Sequence, residues 1–174
     1  MIALKGKKTR EELVEELVLE NYNKYYRLAF SYVRNEDDAL DIVQNGVYKA
    51  ILHSGDLKKK EYAGTWIYRI MLNEIRDFLK KPKTYSVDSM EEEGRGGELQ
   101  KLAAEDSYEN VDLTRALDSL SVEDKLVVQL RFFEDRKLEE IAEILNENVN
   151  TVKSRLYRSL KKLKIKLAQD EEIA

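Results

Sequence analysis

Leu138-Glu-Glu-Ile-Ala-Glu-Ile-Leu-Asn-Glu-Asn-Val-Asn-Thr-Val-Lys-Ser-Arg-Leu-Tyr-Arg-Ser-Leu-Lys-Lys-Leu-Lys164 carries two apolar helical stripes separated by a short polar turn. Leu138, Ile141, Ala142 and Leu145 share one helix face. Val152, Leu156, Leu160 and Leu163 share another, with Val149 apolar between the two. Asn146 is suited to the left-handed conformation that ends a first helix, and Asn150 to the N-cap of a second. With the second stripe turned inward, helical phase places Asn150, Ser154, Tyr157, Arg158 and Lys161 outward, flanked by Thr151, Lys153 and Arg155. That face combines guanidinium and amide groups able to read base edges with ammonium groups able to neutralise phosphate. The pattern predicts a helix-turn-helix whose second helix lies on DNA.

The rest of the chain is consistent with a helical protein. Its 174 residues are 43% hydrophobic with a single proline, which predicts an all-α chain of one or two compact domains. Cysteine is absent, which excludes disulfides and thiolate metal sites and points to a reducing, cytoplasmic setting. No apolar run approaches the ~20 residues needed to cross a bilayer. The segment Met1 to Arg10 is basic without an apolar stretch behind it, so it does not read as a signal peptide.

The net charge of −4 by itself opposes nucleic-acid binding, but the charges are segregated. Lys153, Arg155, Arg158, Lys161, Lys162, Lys164 and Lys166 lie in a stretch without an acid. A second basic region runs from Lys58 to Lys83 and includes Lys59, Lys60, Arg69, Arg76, Lys80 and Lys81. Acid is concentrated between them, from Asp88 through Glu91, Glu92 and Glu93 to Asp112. Local charge governs phosphate binding more than the total does.

Apolar periodicity divides the chain into a tail (residues 1–9), a helical block (10–82), a connector (83–110) and a second block (111–174). The first block predicts a helix through Leu13, Leu17, Tyr22, Tyr25, Tyr26, Ala29 and Tyr32, ending near Arg34. Asn35 would cap a second helix through Ala39, Ile42, Val43, Val47 and Ile51. Ser54-Gly55-Asp56 breaks that pattern, and Lys58 to Glu61 forms a charged loop. A third helix carries Trp66, Ile67, Ile70, Ile75, Phe78 and Leu79 and stops at Pro82. The connector is too poor in apolar residues to bury a core and predicts a flexible acidic linker. Val111 to Leu120, a cap at Ser121 and a helix from Glu123 to Phe133 complete the second block.

Asp38-Ala-Leu-Asp-Ile-Val-Gln44 followed by Thr65-Trp-Ile-Tyr-Arg-Ile-Met-Leu-Asn73 resembles the first domain of bacterial sigma factors. Thr151-Val-Lys-Ser-Arg-Leu156 within the helix-turn-helix resembles their last domain. With no middle domain, the chain resembles the compact extracytoplasmic-function group. The resemblance implies that the helix bearing Asp41 and Gln44 docks on the clamp coiled coil of the largest subunit of core RNA polymerase. It implies that the third helix opens the minus-ten promoter element. Trp66 and Tyr68 would offer aromatic surface, and Arg69, Arg76 and Lys58-Lys59-Lys60 would hold the backbone. Asn73 matches a position lining the pocket of a flipped base. Thr151, Lys153, Ser154, Tyr157 and Arg158 match positions that meet the minus-thirty-five element, while Arg155 and Lys161 would hold phosphate. An anti-sigma factor packed between the domains is a further implied partner.

The chain departs from the family pattern at several places. Gly46 lies mid-helix, at a cost of roughly 1 kcal/mol relative to alanine, and Val47 stands where a larger aromatic is usual. Lys137 replaces a frequent serine cap, and Asn146 and Asn148 replace a glycine and a proline in the turn.

No catalytic constellation is visible. His53 is the single histidine, no glycine-rich phosphate loop occurs, and no cofactor or metal is implied. The main alternative is a free-standing dimeric helix-turn-helix regulator whose first block is a dimerisation or sensor module. It leaves the Thr65–Asn73 segment and the connector unexplained.

Overall fold

The computed structural model describes residues 6–81 and 111–173, which fall in two separate compact units. Pro82 and the expected linker (83–110) lie outside the described residues. The first unit holds α1 (Arg10–Val33), α2 (Glu36–Leu52) and α3 (Ala63–Lys80), with short 3₁₀ turns at Ser54–Asp56 and Lys60–Tyr62. The second holds α4 (Val111–Asp118), α5 (Val122–Phe132), α6 (Leu138–Leu145) and α7 (Val149–Ile173). No strand occurs among the described residues.

Local chemistry sets the helix ends in the first unit. Thr9 Oγ1 accepts from the Glu12 amide (3.1 Å) and Glu12 Oε2 accepts from the Thr9 amide (2.8 Å), a complete capping box for α1. Arg34 ends α1 in the left-handed conformation (φ 54°), and Asn35 Oδ1 at once accepts from the Asp38 amide (3.0 Å) to start α2. The chain therefore reverses within two residues, which packs α1 antiparallel to α2.

The first core is aromatic and close-packed. Tyr25 of α1 meets Tyr68 of α3 edge to face, centroids 5.3 Å apart, and both rings are buried. Val14 and Val18 are buried while Leu13 and Leu17 are half-buried, so the inward stripe at the start of α1 lies one residue further along than periodicity predicts, while Tyr25, Tyr26 and Ala29 are buried as expected. Gly46 explains its own presence. A β-carbon there would overlap Met71 Sδ and lie 3.0 Å from Met71 Cε, so glycine lets α2 approach α3. Its propensity cost is therefore the condition for the packing rather than a flaw in α2. Next to it, the Lys49 ammonium pairs with the Glu74 carboxylate across the same two helices, and that hydrogen bond holds Lys49 above its ordinary pKa.

The second core is built from Ala116, Leu126, Val127, Leu130, Ile141, Ile144, Val152, Leu156 and Leu163, all buried. Ser121 Oγ accepts from the Asp124 amide (3.2 Å) and caps α5 as expected. Lys137 cannot cap α6 with its side chain, but Glu140 Oε2 accepts from the Lys137 amide (2.8 Å), which supplies half of a capping box. Asn146 ends α6 in the left-handed conformation (φ 54°, ψ 45°), as its residue type suggested. The expectation that Asn150 caps α7 is corrected. Helix α7 begins at Val149, and Asn148 Oδ1 accepts from the Asn150 amide (2.8 Å), because Asn148 is the residue directly outside the first turn. Val149, between the two stripes, is 36% exposed, and Ser159, fully buried with its hydroxyl donating to the Arg155 carbonyl (2.7 Å), fills the slot beside half-buried Leu160.

Arg155 is the brace of this unit. Its guanidinium reaches Asp124 on α5 (3.3 Å) and Glu147 in the turn (3.2 Å), with its side chain only 21% exposed. One side chain thus ties α7 to both the preceding helix and the turn that aims it.

Two outcomes follow for stability. Gly46→Ala should destabilise the first unit by about 1–3 kcal/mol despite the better helix propensity, because buried Met71 must move. In a Met71→Ala background the same change should be neutral or stabilising, a coupling readable in urea titrations of Trp66 fluorescence. Arg155→Ala should destabilise the second unit by about 1–3 kcal/mol by taking from Glu147 its partner and from Asp124 one of two, Lys162 being the other. Helix circular dichroism should show that loss while the Trp66 transition of the first unit stays in place.

Candidate nucleic-acid interface

Three outer faces carry the residues singled out from the sequence. On α7, Asn150, Thr151, Lys153, Ser154, Tyr157, Arg158 and Lys161 are exposed, and Val152, Leu156, Ser159 and Leu163 are buried behind them. Tyr157 stands 60% exposed, a large aromatic that no core contact requires. The Arg158 Nε reaches back to the Ser154 carbonyl (3.4 Å), which orients the guanidinium without neutralising it. Such a ridge, about three turns of amide, hydroxyl, ammonium, phenol and guanidinium groups, carries the chemistry that base edges and phosphates in a DNA major groove call for. Arg155 is the exception on α7. The expectation that it holds phosphate is corrected, since two carboxylates of its own unit already occupy its guanidinium.

On α3, Trp66, Arg69, Asn73 and Arg76 recur at helical spacing on one side, with Arg69 and Asn73 exposed and Trp66 and Arg76 half-buried. Tyr68 does not join them. It is 1% exposed against Tyr25, so its expected role as a stacking surface is corrected. The position falls on the same inward stripe as Met71, Leu72 and Ile75, which are also buried. In its place the structure brings Tyr62, 45% exposed and one turn before Trp66, to the start of the outer face. Counting four residues back from Trp66 would have found it. Lys58 and Lys59 are exposed, and the Lys59 ammonium lies 6.0 Å from the centre of the Tyr62 ring. Lys60 is half-buried and donates to the Lys8 carbonyl.

On α2, Asp41 and Gln44 are exposed. The same face continues through Asn45 to Tyr48 (66% exposed) and Leu52 (60%), two apolar residues that periodicity alone did not flag. Burial, then the Asp41 and Asp37 carboxylates, push Asp38 above its ordinary pKa. The acidic end of α2 therefore carries like-charge repulsion that a cationic partner would relieve.

Among the described residues no cluster of three or more metal-ligating side chains occurs, and no helix is long and apolar enough to cross a membrane.

Comparison with known proteins gives these faces a family. Residues 17–84 match the description of Sigma-70 region 2, and residues 110–163 match Sigma-70 region 4. RNA polymerase sigma factor SigV of Bacillus subtilis is 44% identical over 168 residues, spanning 97% of this chain and 99% of that protein. The ECF RNA polymerase sigma-E factor of Escherichia coli K12 is 29% identical over 157 residues, spanning 82% of this chain and 80% of that protein. The fold resembles the sigma factor RpoE of Bartonella quintana, solved in complex with the anti-sigma factor NepR (TM-score 0.67, 22% identity, 88% of this chain and 96% of that one). It also resembles CnrH, solved in complex with the cytosolic domain of CnrY (TM-score 0.66, 23% identity, 90% of this chain and 88% of that one). Matched in order by both sigma regions and along nearly its whole length by SigV, the chain belongs to the extracytoplasmic-function group of the sigma-70 family, the subunits that direct RNA polymerase to specific promoters.

Proposed function

We propose that the three outer faces divide the work of promoter recognition. The α7 ridge of Asn150, Thr151, Lys153, Ser154, Tyr157 and Arg158 reads the minus-thirty-five element, and Lys161 holds its phosphates. The outer face of α3, through Trp66, Arg69, Asn73 and Arg76, with Lys58, Lys59 and Lys60 beside it, opens and holds the minus-ten element. The α2 face of Asp41 and Gln44 docks on the clamp of the polymerase largest subunit, and its crowded carboxylates favour a cationic partner there. The observation that carries this reading most directly is the α7 ridge, whose base-reading and phosphate-binding groups are exposed above a buried inner stripe of Val152, Leu156, Ser159 and Leu163.

The chain performs no chemistry itself in this scheme; nucleotide addition belongs to the polymerase, and the work is done in the cytoplasm where the polymerase acts. An anti-sigma factor holds the chain inactive until a signal releases it. The RpoE–NepR complex supports that partner class through a shared fold.

Run-off transcription with core polymerase on a pooled genomic library tests the reading. Discrete new start sites should appear with this chain and fade with Asn73→Ala or Arg158→Ala while core association survives. Loss of one bidentate base contact at Arg158 should cost about 1–3 kcal/mol at a matched promoter. An unchanged start-site profile in both variants would remove the assignment. For the clamp face, Asp41→Asn should weaken core association without lowering thermal stability. Asp38 has a raised folded-state pKa, so its favourable contribution is present below the unfolded carboxylate range and lost as pH rises through the raised value. At neutral pH burial and crowding of Asp38 therefore both cost stability, and removing the Asp41 charge relieves the crowding.

A further inference from the structure

The second unit treats the cations of α7 in two ways. Lys153, Arg158, Lys161 and Lys164 are exposed and hold no ion pair among the described residues. Arg155 and Lys162, seven residues apart and so one above the other on one flank of the helix, are both held by carboxylates. Asp124 of α5 reaches Arg155 with one oxygen (3.3 Å) and Lys162 with the other (3.5 Å). Glu147, in the turn before α7, takes a second nitrogen of the Arg155 guanidinium (3.2 Å). Lys162, 63% exposed and bound to Asp124 alone, is the looser of the two.

Fixing α7 to α5 does not require charge. The Asp124 side chain is only 15% exposed, and the Arg155 Nε and one Glu147 oxygen are buried without a hydrogen-bond partner. Ions withdrawn from water in this way stabilise no better than apolar side chains of like volume. The cluster has a second consequence that apolar packing would lack. Arg155 borders Thr151 and Arg158 of the exposed ridge, four residues before it and three after it. A free cation at that edge would neutralise a phosphate, which strengthens binding to every duplex without reading a base. The two carboxylates cancel that charge inside the protein, and they repel the backbone of any sequence alike.

We propose that Asp124 and Glu147 are positioning residues that set the specificity of α7: they hold Arg155 and Lys162 off the DNA backbone while aiming the ridge, so that the helix gains little from a duplex of arbitrary sequence. The inference rests on the assignment of α7 to the minus-thirty-five element.

The test uses holoenzyme assembled from core polymerase and the full chain. The probes are a promoter mapped by run-off transcription and the same fragment with its minus-thirty-five segment scrambled, and affinity is read against salt concentration. Asp124→Asn releases Lys162 and leaves Arg155 on Glu147, so the slope of log affinity against log salt should steepen by about one. Asp124→Asn/Glu147→Gln releases both cations and should steepen it by about two. In the double variant the scrambled probe should bind about three- to ten-fold more tightly, and the matched probe should gain less because the ridge is less firmly aimed. Lys162→Ala should leave the slope unchanged in the otherwise intact chain and lower it in the Asp124→Asn background. Helix circular dichroism identifies any variant that fails to fold, and Lys162→Ala, made on an exposed side chain, then carries the comparison.

Weaker binding to both probes at an unchanged slope makes the cluster a structural brace only and overturns the proposal. Unaltered slopes and affinities in folded variants overturn it as well. A slope lowered by Lys162→Ala in the intact chain places that lysine on phosphate already, which again overturns it. Arg158→Ala marks the α7 assignment: undiminished discrimination between the two probes in that variant overturns the assignment and the inference with it.

Discussion

The close approach of α2 to α3 at Gly46 is the constraint on which the first unit depends. Met71 occupies the space that any side chain at position 46 would need, so the two helices meet backbone to side chain at that point. Lys49 and Glu74 close the same seam with an ion pair. Once α2 and α3 are seated in this way, their remaining faces are determined. Asp41 and Gln44 must project from one helix, and Arg69 and Asn73 from the other, because each helix has only one stripe to give to the core. Two exposed polar faces on a block of about seventy residues are thus a consequence of one tight contact.

The second unit solves a different problem, that of aiming one helix. A helix-turn-helix is useful only if its second helix is held at a fixed angle, and short helices are marginal on their own. Asn146 supplies the left-handed residue that reverses the chain, and Asn148 supplies the first cap of α7. Arg155 then pins α7 to α5 and to the turn through Asp124 and Glu147. A cation at the edge of α7 thereby sets the geometry in which its neighbours Ser154 and Arg158 are presented.

Tyr68 and Arg155 lie where a helix passes from its inner to its outer side, and a shift of one position there reverses burial, whereas Asn150 lost the cap because α7 begins one residue before it. Aromatic character made Tyr68 look like a stacking surface, yet the ring fills the space beside Tyr25. Positive charge made Arg155 look like a phosphate contact, yet two carboxylates from other segments converge on it. The same limit hid Tyr62, Tyr48 and Leu52, which are apolar residues left outside by packing rather than by composition.

Local and periodic features were legible in the sequence by itself: the all-helical class, the helix boundaries near Arg34, Asn35 and Ser121, the left-handed Asn146, and the outward ridge of α7. They were legible because capping, handedness and amphipathic phase depend on neighbours within about one turn. Tertiary structure alone decided why Gly46 is needed, which tyrosine of the third helical segment is exposed, what Arg155 binds, and that Lys8 meets Lys60. Those answers depend on atoms brought together from distant segments, and no periodicity along a single helix encodes which partner will arrive.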